Sequence, residues 1–156
     1  MMHEDIKLGI VVSEFNSDIT GKMLKQALKR SAELKSLATY VCKAPGSYDM
    51  PLMIQSLLEK DDVDAVVMLG AIIKGETKHD ELIADKLAGK AVELSLQFGK
   101  PVTLGVSGPS MTLKQAVART EEYANRSVEA AVRMVERQRK IAKSKPKKPS
   151  YPVVIE

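Results

Sequence analysis

Four short apolar runs alternate along the chain with longer stretches in which apolar residues return every three or four positions. Residues 7–13 (KLGIVVS), 38–43 (ATYVCK), 64–73 (DAVVMLGAII) and 101–107 (PVTLGVS) are rich in Val and Ile and lack clean alternation. Parallel strands buried on both faces need that composition, so the runs predict four such strands. Helical spacing is kept by Ile19, Met23, Ala27 and Leu28, and then by Met53, Ile54, Leu57 and Leu58. It resumes with Ile83, Leu87, Ala91, Leu94 and Phe98, and ends with Leu113, Val117, Ala124, Val128, Ala131 and Val135. These predict four helices, each with one apolar stripe to bury. Start signals accompany them. Thr112 with Gln115 fits a capping box, Thr77 with Asp80 is a weaker version, and Asp49 stands ahead of Pro51, a residue tolerated only in a first turn. Strand and helix alternating four times, with right-handed crossovers, give a small open parallel sheet covered on both faces.

Composition narrows the class. The 156 residues are 44% hydrophobic and 28% charged, the balance of one compact domain and not of a disordered chain. No run of eighteen apolar residues occurs, and 1–7 carries acids where a secretory signal has basic and apolar regions. Neither membrane span nor export signal is expected, and the expected compartment is the cytoplasm. Cys42 is the only cysteine, which excludes an internal disulfide and a thiolate metal cage. Aromatics at 4%, with no Trp, weaken any model built on base-stacking platforms.

The net charge of +4 is unevenly spread. Residues 137–156 hold seven basic residues and one acid, leaving 17 basic and 19 acidic residues in 1–136. After about Ile141 the sequence turns to KSKPKKPSYP, which should end the last helix and leave an extended or disordered tail. The expected division is a body over 1–141 and a basic, Pro- and Lys-rich tail over 142–156. Such a tail can neutralise nucleic-acid phosphates, but no recognition motif accompanies it, and a solubilising or subunit-contacting role is preferred. Its 151–155 segment (YPVVI) can also add as a short strand to a neighbour.

In sheets of this class ligands bind outside the carboxyl ends of the strands. Four loops qualify: 14–17, 44–49, 74–79 and 108–111. In the third, Gly75, Glu76 and Thr77 turn the chain into a helix whose first N–H groups form a natural anion site. His79 falls in its first turn, where the positive helix end disfavours the imidazolium and suits the ring to proton transfer near neutral pH. An ordinary surface histidine beside a cap is the plainer alternative. His3 lies in a terminus expected to fray. Tyr48 and Asp49 in the second loop, with Phe15 in the first, offer two rings and an acceptor that can hold a flat heterocycle; as isolated residues the rings equally suit packing. Arg119, Arg126 and Arg133 stand seven apart, each three residues before a glutamate, which predicts a stripe of ion pairs on a solvated or subunit-facing edge. Arg119 differs in lying about two turns from the Thr112 cap, within reach of a phosphate.

Together these segments resemble the 6,7-dimethyl-8-ribityllumazine synthase family, and its archaeal members most. The motifs are VVSEFN (11–16) with Ile19-Thr20, APGSYDMP (44–51), DAVVMLGAIIKGETKH (64–79) and PVTLGV (101–106), then Gln115-Ala116, Arg119 and Asn125-Arg126. They run in order over about 8–134, and LGAIIKGETKH is the most specific of them. The resemblance implies a flavodoxin-like three-layer αβα sandwich with a four-stranded parallel sheet in the order 2-1-3-4. It implies condensation of 5-amino-6-(D-ribitylamino)uracil with 3,4-dihydroxy-2-butanone 4-phosphate, releasing phosphate and water, with no redox cofactor and no metal. By position, Phe15 would stack on the pyrimidine, Ser47, Tyr48 and Asp49 would hold the ring and ribityl chain, and Ala71, Ile72 and Ile73 would line the pyrimidine site. The Glu76 and Thr77 backbone would bind phosphate, His79 would transfer protons, Leu104 would close the pocket and Arg119 would clamp the phosphate, the last two from a neighbouring subunit. Arg126 is a further candidate, standing where bacterial members have a lysine. Tyr48-Asp49 replaces their Phe-Glu. The implied assembly is a homo-oligomer, a pentamer or a shell of twelve pentamers, with active sites between subunits.

Two alternatives remain open from the sequence. The related archaeal riboflavin synthase shares the pentamer fold but lacks the Gly-Glu-Thr-Lys-His segment. A flavin- or nucleotide-binding module is the other.

Overall fold

A computed structural model describes residues 5–156, so His3 lies outside the described residues. The four apolar runs are strands: β1 (Lys7–Ser13), β2 (Leu37–Ala44), β3 (Ala65–Ile73) and β4 (Val102–Met111). They pair in parallel in the expected order, β2-β1-β3-β4. The helices are α1 (Ser17–Glu33), α2 (Met50–Leu58), α3 (His79–Phe98), α4 (Leu113–Ala118) and α5 (Thr120–Lys143), and a 3₁₀ turn at Ser47–Asp49 leads straight into α2. Among the described residues no helix is long and apolar enough to cross a membrane.

Successive side chains of a strand point to opposite faces, and β1 and β3 show why their runs are unbroken. Ile10, Val12, Val67 and Leu69 share one core with Met23 and Ala27 of α1 and Val128 and Ala131 of α5. Val11, Val66 and Met68 share the other with Ile54 and Leu58 of α2 and Leu87 and Leu94 of α3. Each such side chain contributes roughly 1.5–3 kcal/mol on burial, so a polar residue at either phase of these strands would lose that and add a desolvation cost. The layers approach closely at Gly105 of β4, where a Cβ would stand 2.7 Å from the Ser127 hydroxyl of α5.

Four expectations fail, each for a physical reason. The period from Leu113 to Val135 is not one helix but breaks at Arg119 (φ −107°, ψ 6°). Thr120 Oγ1 donates to the Ala116 and Val117 carbonyls, both at 3.0 Å, and occupies acceptors the following amides would use. The break turns α4 outward, so Leu113 and Val117 are exposed while Ala124, Val128, Ala131 and Val135 are buried. The Thr112–Gln115 capping box forms with both of its bonds. The Thr77–Asp80 version does not: Thr77 Oγ1 accepts the His79 N–H at 3.3 Å, and Asp80 turns inward to Ser110. The ion pairs of α5 also differ. Arg126 reaches back to Glu122 at 3.2 Å, and Glu129 is taken at 2.8 Å by Arg30 of α1, a half-buried partner that joins two elements where an exposed pair on one helix gains little. Lastly, 108–111 is not a free loop but the end of β4, because Met111 pairs with Ile73 after a register shift and its carbonyl accepts the Lys74 N–H at 2.8 Å.

Candidate active site

Three strand ends and the loops behind them are joined before any functional side chain is placed. Glu14 and Phe15 donate their N–H groups to the Ala44 and Pro45 carbonyls at 2.8 and 3.2 Å, which fixes the first loop against the second. Asn16 adopts the left-handed conformation (φ 60°, ψ 47°), one that Asn tolerates better than most residues. Its Nδ2 donates to the Ala71 carbonyl at 2.8 Å and ties the first loop to the end of β3. At the far side, Gly108 (φ 104°) lies so close to the Ile72 backbone that a Cβ would collide with the Ile72 carbonyl.

A cavity of about 450 Å³ opens between these loops and the start of α3. Phe15, Ser47, Tyr48, Ala71, Ile72, Ile73, Thr77 and His79 all line it, so the structure brings together eight of the residues singled out from sequence. Phe15 and Tyr48 are 69% and 70% exposed, which excludes a packing role for either ring within this chain. Both line the cavity while remaining open to solvent. Ser47 is buried, and His79 is exposed on the first residue of α3, where the positive helix end favours an anion. The end of β3 supplies an apolar wall and Ser47, Thr77 and His79 a few polar groups, the usual make-up of a small-molecule site.

Other candidates lie elsewhere. Asp49 lines an adjoining groove of about 620 Å³ with Lys43, Lys86 and Lys90, and this groove shares Ser47, Tyr48 and Ile83 with the cavity. Glu76 is exposed and outside the lining. Leu104, 54% exposed, is not in the cavity lining but borders a further hollow with Leu87, Val106 and Pro109, which shares Ile72 with the cavity. Arg119 and Arg126 are exposed on the α4–α5 side and line none of these. Asn16, Gly46, Gly75, Asp80 and Ile83 line the cavity without having been singled out as contacts. For Asn16 the signal is an Asn between a strand end and a helix start, a site for the left-handed conformation. Ile83 was absorbed into the α3 stripe, and Asp80 reads in sequence as an ordinary first-turn acid.

Sequence comparison extends the agreement over nearly the whole body. The family model described as 6,7-dimethyl-8-ribityllumazine synthase matches residues 5–139. The chain is 57% identical over 141 residues to the protein of that name from Saccharolobus islandicus (strain L.S.2.15 / Lassen #1), covering 90% of this chain and 92% of the relative. The Saccharolobus solfataricus protein of the same name is equally similar, with the same coverage, and that of Sulfolobus acidocaldarius is 53% identical over 136 residues, covering 87% and 86%. With this extent of identity, and with the parallel 2-1-3-4 sheet presenting the matched motifs at one end, the chain belongs to the 6,7-dimethyl-8-ribityllumazine synthase family.

Proposed function

We propose that the protein condenses 5-amino-6-(D-ribitylamino)uracil with 3,4-dihydroxy-2-butanone 4-phosphate to form 6,7-dimethyl-8-ribityllumazine, releasing phosphate and water in riboflavin biosynthesis. The observation that carries the assignment of the site is the convergence of two exposed rings, an apolar strand end and a histidine-bearing helix start on one cavity. The pyrimidine stacks on Phe15 over Ala71, Ile72 and Ile73. Its ribityl chain crosses Ser47 and Tyr48 toward Asp49, a path supported by the residues that the cavity shares with the adjoining groove. The phosphate sits on the Glu76 and Thr77 N–H groups at the start of α3. The work is positioning two substrates and moving protons: an imine forms, phosphate is eliminated and the ring closes. His79 moves the protons, and its place beside an anion-binding helix end favours the departing phosphate.

Leu104 and Arg119 complete the site from a neighbouring subunit, with Arg126 beside them as a further phosphate contact. Two features support this reading: both Leu104 and Arg119 are exposed yet outside the cavity of their own chain, and apolar side chains lie exposed at Leu82, Val92 and Leu96 of α3 and Leu113 and Val117 of α4. The active form is therefore a homo-oligomer, a pentamer or a shell of pentamers, working in the cytoplasm. The body over 1–141 carries the chemistry, and the tail over 142–156 is an appendage. Purified protein given both substrates should produce the green fluorescence of the lumazine; inert wild-type protein would overturn the assignment. Mass by light scattering tests the shared site, which a monomer would refute.

A further inference from the structure

Among the described residues, Asp80 is the only charged side chain that is buried, at 6% exposure, and it stands in the cavity wall directly after His79. A carboxylate is costly to bury unless it is hydrogen-bonded. Its Oδ2 accepts, at 2.9 Å, the backbone N–H of Ser110, a residue held at φ 60° in the last stretch of β4. The same stretch is bound again one residue later, where the Met111 carbonyl accepts the Lys74 N–H at 2.8 Å. Lys74 and Asp80 flank the segment that carries Gly75, Thr77 and His79, all three of which line the cavity, while 74–79 is otherwise exposed. A segment with little burial of its own is thus secured at both ends to consecutive residues of β4.

We propose that Asp80 is a positioning residue for the reaction: with the Lys74–Met111 bond it clamps the phosphate-binding segment 75–79 to the end of β4 and so sets where the Thr77 N–H and the His79 ring stand. The inference rests on the reading of 75–79 as the phosphate end of the site. It differs from a role in which the Asp80 charge itself acts on substrate, because the asparagine amide oxygen can still accept the Ser110 N–H without carrying charge. Removing the acceptor frees the segment, and misplacement of this kind is expensive in a two-substrate site.

The test combines steady-state kinetics with amide hydrogen exchange on the full-length wild-type, Asp80→Ala and Asp80→Asn proteins. Asp80→Ala should raise KM for the phosphate-bearing substrate roughly 10- to 100-fold. KM for the pyrimidine substrate should stay within about two-fold, a split that general destabilisation would not produce. Exchange at the two bonded amides of the clamp, Ser110 and Lys74, should quicken about ten-fold or more. Asp80→Asn should recover most of both effects. Michaelis constants that stay unchanged in Asp80→Ala, or that rise together for both substrates, would overturn the proposal, as would Asp80→Asn being as damaged as Asp80→Ala. Unaltered exchange at Ser110 and Lys74 sinks the clamp whatever the kinetics. Faster exchange in a chain whose wild type forms no lumazine leaves the clamp standing and refutes the assigned reaction instead.

Discussion

The two ends of the sheet are tied by the same kinds of bond but differ in what their remaining side chains do. At the amino end, the Leu37 and Asp64 N–H groups donate to the Ile6 and Lys7 carbonyls at 2.8 and 2.7 Å, and several side chains reinforce these bonds. Asp64 Oδ2 accepts the Lys7 N–H at 2.7 Å and Arg139 at 3.4 Å, and Lys100 Nζ donates at 2.9 Å to both the Leu58 and Lys60 carbonyls at the end of α2. Gln138 Nε2 donates to the Gly99 carbonyl at the end of α3 at 2.8 Å. At the carboxyl end, the backbone bonds from Glu14 to Ala44, Phe15 to Pro45 and Lys74 to Met111 are joined by the Asn16 and Asp80 side chains. Phe15, Tyr48 and His79 are left to face outward. Side chains committed to loops and helix ends hold the fold, and side chains released from that duty are available to a ligand. The difference implies that substitutions at the two ends should separate cleanly into losses of stability and losses of activity.

The largest effect expected is at His79. Without its imidazole, proton transfer should slow by about 10²- to 10⁴-fold in kcat, while the melting temperature hardly moves, because the residue is exposed and its N–H bond to Thr77 is made by backbone that alanine keeps. A His79→Ala protein that melts early but turns over normally would reverse the assignment of the two ends. Next is Arg119→Ala, which removes one charge-assisted contact and should lower kcat/KM roughly 10- to 100-fold. Here a sharper outcome is available. Co-refolding Arg119→Ala with His79→Ala at equal amounts should restore about a quarter of the sites if each is built from two subunits. No recovery would place Arg119 in its own chain's site, contrary to its position outside that cavity.

Much of this division was legible in the sequence, and the failures have a common cause. The β1 and β3 runs were readable because burial on both faces leaves no polar option, and the loops at 14–17, 44–49 and 74–79 followed from strand direction. The break at Arg119 was not, because Leu113 and Val117 keep the right spacing and only the Thr120 hydroxyl ends the turn. Asp80 was missed as a cavity residue because its partner, the Ser110 N–H, lies thirty residues away in sequence. Periodicity reports local burial; which acid meets which amide depends on how distant strand ends are juxtaposed. The same limit applies to Leu104 and Arg119, whose positions within one chain do not bring them to the cavity.

At the amino end a moderate effect is expected from Asp64→Ala. It leaves the Lys7 N–H and the Arg139 guanidinium without this carboxylate and should lower unfolding free energy by about 1–3 kcal/mol, measured by urea denaturation, with kcat intact. A fall in kcat at unchanged stability would break the comparison from the other side.

The smallest effect is expected at Tyr40→Phe, and its value lies in its pH dependence. Tyr40 OH donates to Asp62 Oδ2 at 2.6 Å, while Thr39 Oγ1 binds the Asp62 carbonyl at 2.9 Å, so strand β2 is fastened to the turn before β3. The bond holds the Asp62 carboxyl below its ordinary range, and the same bond, with desolvation, raises the Tyr40 phenol. A carboxyl lowered in the folded state contributes stability above its unfolded value and loses it as pH falls through the folded value. A phenol raised in the folded state contributes below its unfolded value and loses it as pH rises through the folded one. The wild type should therefore melt above Tyr40→Phe by a constant small margin between about pH 5 and 9, and the margin should narrow below about pH 4 and above about pH 10. Because Asp62 and Tyr40 lie at the end of the sheet away from the cavity, the pH profile of lumazine formation should be the same in both proteins. A change in that profile would mean that the amino end reaches the chemistry after all.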